Sequence, residues 1–190
     1  MDARDGAQKA DDLGGISVFR HKDEGHGAGP STYKMHQRMF SIGDDFWIEN
    51  GAGQRAFKVD GKALRIRKTL EVQDGAGRVL YKIQEKLATI RDVMTIEGPA
   101  GKVATVKKAL FTPLHERYEV DFEAGGSWST HGNLVDHQYE IKAGDARIAE
   151  IGKKWFRVRD TYGVQVAPGQ DDALVLAVAI VIDQMSHPSR

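Results

Sequence analysis

The sequence predicts a mainly β chain: a closed antiparallel barrel of about twelve strands around a central hydrophobic helix at the C-terminus. Three observations lead there. The first is an unbroken apolar run from Ala173 to Ile182, with Asp171-Asp172 before it and Pro188 beyond its end. Carboxylates favour a helix start and proline a helix stop. A helix with no polar face must be enclosed on all sides. This one is too short for a bilayer, which takes about 20 apolar residues.

The second observation is an internal repeat. Asn50-Gly51-Ala52-Gly53 returns as Asp74-Gly75-Ala76-Gly77, and Glu97-Gly98-Pro99-Ala100-Gly101 is a third version with one residue inserted. Glycine and asparagine supply the positive φ of tight hairpin turns. The flanks repeat too: Phe57, Val59, Leu70 and Val72 correspond to Tyr81, Ile83, Met94 and Ile96. A further copy relates Leu80, Ile83 and Lys86 to Ile148, Ile151 and Lys154. The third observation is alternation. Phe57 and Val59 share a face, and apolar residues recur at even positions from Arg65 to Val72, the period of a half-buried strand.

Strand, short turn, strand, repeated, is an antiparallel meander. A meander leaves two open edges, and closing it into a barrel removes them. About eight strands already fill their own interior, so twelve need a plug. The C-terminal helix supplies it.

Taken in order, residues 1–30 are rich in Gly, Asp, Lys and Ala and are expected to form a disordered leader. Residues 31–190 form one barrel domain. Strands are expected near 34–40, 44–49, 54–60, 64–72, 78–85, 88–96, 102–108, 115–122, 127–131, 136–142, 146–152 and 156–166.

Composition narrows the function. Lysine plus arginine and aspartate plus glutamate both number 27, so bulk charge does not point to nucleic acid. The chain has no cysteine, which removes disulfides, thiolate metal sites and thiol nucleophiles. No apolar h-region follows Met1. A cytoplasmic protein, peripheral at the membrane rather than transmembrane, is expected.

Four stretches carry a family resemblance: Gly43-Asp44-Asp45-Phe46-Trp47-Ile48, Val59-Asp60-Gly61-Lys62-Ala63-Leu64, His131-Gly132-Asn133-Leu134-Val135-Asp136-His137 and Trp155 to Val164, together with the ending at Asp183-Gln184-Met185. Over Tyr33 to His187 the chain resembles the LURP-one-related proteins, which share the tubby C-terminal-like fold with tubby proteins and phospholipid scramblases. The resemblance implies a twelve-stranded barrel around a hydrophobic helix. Tubby proteins bind phosphoinositides through a basic surface, but their lipid-binding motif does not align here residue by residue, and the cysteine-rich segment of scramblases is missing.

Cations are the main candidates for function. Arg65 and Arg67 lie by one strand, and Lys153, Lys154, Arg157 and Arg159 by another. Together they would hold a phosphate or an anionic headgroup. The plainer reading is solubility and edge protection, and the same holds for Lys107-Lys108. His131, Asp136 and His137 read more naturally as a strand–turn–strand than as a metal site. Asp44-Asp45 lacks an accompanying nucleophile. Trp47 and Trp155 are expected to pack in the barrel, and an exposed Trp128 would suit a lipid interface. The reading is a non-enzymatic binding module for anionic membrane lipid or a small anionic ligand, with no cofactor or metal and no nucleic-acid partner. The alternative is a protein-interaction domain.

Overall fold

A computed structural model describes residues 29–36, 45–61, 69–86, 93–109, 117–134, 136–153 and 161–186. The expected leader and parts of the expected strands lie outside these residues.

The strands are β1 (Ser31–His36), β2 (Phe46–Asn50), β3 (Arg55–Gly61), β4 (Thr69–Asp74), β5 (Val79–Glu85), β6 (Val93–Gly98), β7 (Gly101–Ala109), β8 (Arg117–Phe122), β9 (Ser127–Asn133), β10 (Gln138–Ala143), β11 (Ala146–Gly152) and β12 (Thr161–Val166). The single helix is α1 (Asp172–Ser186). All neighbouring strands pair antiparallel in chain order, and β1 closes the barrel against β12 from Ser31↔Val166 to His36↔Thr161.

The repeated turns are built alike. Asn50 Oδ1 accepts the amides of Ala52 and Gln54, each at 3.0 Å. Asp74 Oδ1 accepts those of Ala76 and Arg78, each at 2.9 Å. Gly53 and Gly77 take φ of 78° and 81°. That left-handed conformation is why glycine closes each turn. Each turn leaves a bulge in its hairpin, at Ile48/Glu49 and at Val72/Gln73.

The inward residues alternate as expected: Phe57 and Val59, Tyr81 and Ile83, Met94 and Ile96 are all buried. They surround α1, whose residues Ala173 to Ile182 are buried without a break. At about 1.5 Å per residue the 15-residue helix is about 22 Å long and fills the barrel axis. Its start is capped by Asp171, whose Oδ1 accepts the Leu174 amide at 2.9 Å.

The two ends of the barrel differ. At the leading end, where α1 begins, β2–β3, β4–β5, β6–β7, β8–β9 and β10–β11 are joined by two to four residues. Tyr33 and Tyr81 reach this end of the helix, their hydroxyls donating to Asp172 at 2.5 Å and Asp171 at 2.6 Å. At the trailing end, where α1 finishes, the connections have four to nine residues.

Candidate functional site

An interior filled by a helix leaves function to the ends and the outer wall. The one polar group of α1 deep in the barrel is Asp183, 5% exposed, and His137 meets it, with Nε2 2.6 Å from Oδ1. His137 has φ 53° and stacks on Tyr162 at 4.5 Å between ring centroids. Tyr139 and Tyr162 are both buried, and burial, then the Asp183 carboxylate, pushes their hydroxyls well above the usual phenol range. They stay protonated. A histidine–carboxylate contact of this kind would be a candidate acid–base pair in a cleft; here it is enclosed.

The backbone explains why this motif has its spelling. At Gly132, φ is 131° and a Cβ would sit 2.5 Å from the Gln138 carbonyl oxygen. Asn133 then ties the turn, its Oδ1 accepting the Asp136 amide at 3.1 Å. The two histidines part company. His131 lies on the outer face against Ser129 Oγ at 2.9 Å, while His137 turns inward. Sequence reasoning did not find the His137–Asp183 contact. The shared membership of both residues in the family-like stretches was the available signal.

Along the wall, cations are neutralised by neighbouring strands. Lys34 meets Glu49 at 3.1 Å, Lys107 meets Asp121 at 2.7 Å and Lys102 meets Glu123 at 2.7 Å. Asp45 belongs to the same scheme, 2.7 Å from Lys58. Lys86 and Lys108 also have partners. One tryptophan expectation needs correction. Trp47 does not pack inside: Ile48 takes the inward position, and Trp47 lies outside beneath Arg55, 5.0 Å from its guanidinium. Trp128 is half-buried and packs edge-on against Phe122 at 4.7 Å.

Of the six predicted anion-site cations, Lys153 is described and exposed. Arg65, Arg67, Lys154, Arg157 and Arg159 lie outside the described residues. The strands flanking both groups nevertheless end on one rim. β3 and β4 border residues 62–68, β11 and β12 border 153–160, and all four strand ends lie at the trailing end.

The connections differ in charge by sequence. By sequence, the six trailing connections hold eleven lysines and arginines: Arg38, then Lys62, Arg65, Arg67 and Lys68, then Lys86 and Arg91, then Lys153, Lys154, Arg157 and Arg159. Against them stand six carboxylates, Asp44, Asp45, Asp92, Glu116, Asp136 and Asp160. The six leading connections hold one arginine, Arg78, and three carboxylates, Glu123, Asp145 and Asp171.

Two clefts stand out among the described residues. One, of about 570 Å³, lies at the leading end among the Asn50 and Asp74 turns and is lined also by Tyr33 and Phe57. No lysine or arginine lines it. The Asn50 and Asp74 side chains there are committed to their turns. The other, of about 340 Å³, lies toward the trailing end and includes His131, Gln138, Glu140, Glu150 and Lys153.

Comparison with known proteins points one way. The profile of the LURP-one-related family matches residues 31–183. The uncharacterized protein YxjI of Bacillus subtilis is 29% identical over 64 residues, which are 34% of this chain and 40% of that relative's length. A crystal structure of an Arabidopsis thaliana protein superposes with a TM-score of 0.64 at 17% identity, over 85% of this chain and 94% of the other. That likeness is one of fold.

Proposed function

The chain belongs to the LURP-one-related family, and from that premise we propose that it is a non-catalytic binding module whose trailing end recognises an anionic surface, in the first place anionic membrane lipid. What supports this is the uneven distribution of lysine and arginine, by sequence, between the two sets of connections. The protein is neutral overall, with 27 charges of each sign. A neutral protein gains no attraction to an anionic surface from its net charge. It gains one if its cations collect at the end that faces the surface. Near an anionic leaflet each lysine or arginine contributes about 1 kcal/mol.

The rest of the molecule suits a passive scaffold. The helix fills the space that a lipid-carrying barrel would keep for its cargo, and the buried histidine–carboxylate contact is enclosed. Among the described residues no helix is long and apolar enough to cross a membrane. On this reading the protein sits on the bilayer by electrostatic contact.

Co-sedimentation with vesicles at low and high salt is the test. Binding to vesicles containing phosphatidylserine, none to phosphatidylcholine alone, and loss as ionic strength rises past the physiological value are expected, since screening sets in over about 8–10 Å. No binding to anionic vesicles at low salt would overturn the reading and leave a protein-interaction domain in its place.

A further inference from the structure

We propose that the trailing-end cleft between β9, β10 and β11 is a discrete site for a phosphate monoester, held by Lys153, Gln138 and His131 with Arg117 beside them. This rests on the anion-binding reading and narrows it to one place and one chemistry.

The register builds the floor. His131 stands opposite Glu140, and Glu140 opposite Glu150, so the three form a row across three neighbouring strands. Lys153 follows β11 at the rim of the same cleft. Glu119 opposite Ser129 sets the neighbouring pair, and the same register carried two residues on brings Arg117 level with His131.

Two carboxylates in an anion site need an account. Each is already occupied. Arg147 Nη1 lies 3.3 Å from Glu140 and 3.2 Å from Glu150, and Lys142 Nζ donates to Glu140 at 2.9 Å. The Lys142 hydrogen bond, opposed by slight burial and aided by Arg147, holds the Glu140 carboxyl below the usual range. Glu140 and Glu150 are thus engaged by Lys142 and Arg147, and Glu150 has a further partner as well. Neither Lys153 nor Arg117 has a carboxylate partner among the described residues. Lys153 and the Gln138 amide line the recess, and Arg117 stands level with His131 on the neighbouring strand: together they offer donors and positive charge to a dianion with several acceptor oxygens.

His131 responds to the occupant. Slight burial, then the charges of Arg117 and Lys142, hold its imidazole below the usual range, with Glu140 pulling the other way. Arg147, Glu150 and Lys153 complete the charged groups around it. A bound dianion supplies the missing opposite charge and raises the His131 pKa.

The experiment uses the full chain and one chemistry from two sources: glycerol 3-phosphate in solution and phosphatidic acid in vesicles. At low salt, glycerol 3-phosphate is expected to shift the His131 ring resonances and raise their titration midpoint. Lys153→Ala should weaken this about tenfold, and Lys102→Ala should leave it unchanged. Vesicles with phosphatidic acid should retain wild type better than phosphatidylserine vesicles of equal charge, and Lys153→Ala should erase that preference. Loss of the preference in the variant identifies the lipid as the source. Binding of the soluble ester without a lipid preference identifies a free phosphate ester. If wild type shows neither, or if Lys153→Ala changes neither, the site is wrong. General binding to anionic vesicles that persists in that case leaves the charge-separated barrel reading standing.

Discussion

His137 on the β9–β10 turn and Asp183 on α1 meet at 2.6 Å inside the barrel, 46 residues apart in sequence. The contact answers a problem that an all-apolar plug creates: a greasy cylinder in a greasy tube has nothing to set its depth or rotation. Asp183 near one end, and Asp171 and Asp172 at the other, set both. Replacing one member removes a buried hydrogen bond from the other, which costs about 1–3 kcal/mol. Asp183→Ala and His137→Ala should each lower Tm by on the order of 10 °C. The double variant should melt close to the worse single variant rather than at their sum. Strict additivity in that cycle would show that the two side chains are not coupled.

Val178 lies mid-helix with no solvent exposure. Val178→Asp puts an unpaired charge among apolar strands, a cost that exceeds the whole stability of an ordinary domain once no partner or water is in reach. Expression should give insoluble or non-cooperative material. A soluble variant with a sharp melting transition would contradict the central-helix packing.

Gly132→Ala should destabilise the fold by about 3 kcal/mol, because the left-handed backbone and the 2.5 Å approach to the Gln138 carbonyl oxygen act together. Gly75→Ala is the control, since nothing lies within 4 Å of its Cβ position and its φ is ordinary. Equal denaturation midpoints for the two variants would remove the steric argument.

The repeated turn allows an exchange test. Asn50 and Asp74 do the same work with the same atom. Asn50→Asp should change stability by less than about 0.5 kcal/mol, whereas Asn50→Ala should cost about 1 kcal/mol through two lost amide partners. Urea titration of the pair decides it; a larger loss in Asn50→Asp than in Asn50→Ala would mean that the two turns are not equivalent.

Much of the architecture is legible in the chain because it is local. Turn glycines at 53 and 77, alternation at Phe57 and Val59, and the apolar run of α1 each mark their element without long-range information. What was not legible depends on which residues meet across the barrel. The inward turn of His137 needs a positive φ that its own sequence does not announce, and its partner is on another element. The outward position of Trp47 is legible in the chain, because alternation about the buried Ile48 puts it outside. The six predicted cations cluster along the chain. That their connections share one rim follows only from the up-and-down topology, which sends every second connection to the same end.

The measurement that bears most directly on this account compares charge reversal at the two ends of the barrel. Arg65→Glu/Arg67→Glu alters the trailing end, and Arg55→Glu/Lys102→Glu alters the leading end by the same net charge. With phosphatidylserine vesicles at low salt, the first pair should weaken binding at least tenfold, about 1 kcal/mol or more for each reversed cation. The second pair should leave binding near the wild-type value. Equal losses from both pairs, or a greater loss from the leading-end pair, would contradict an anion-facing trailing end.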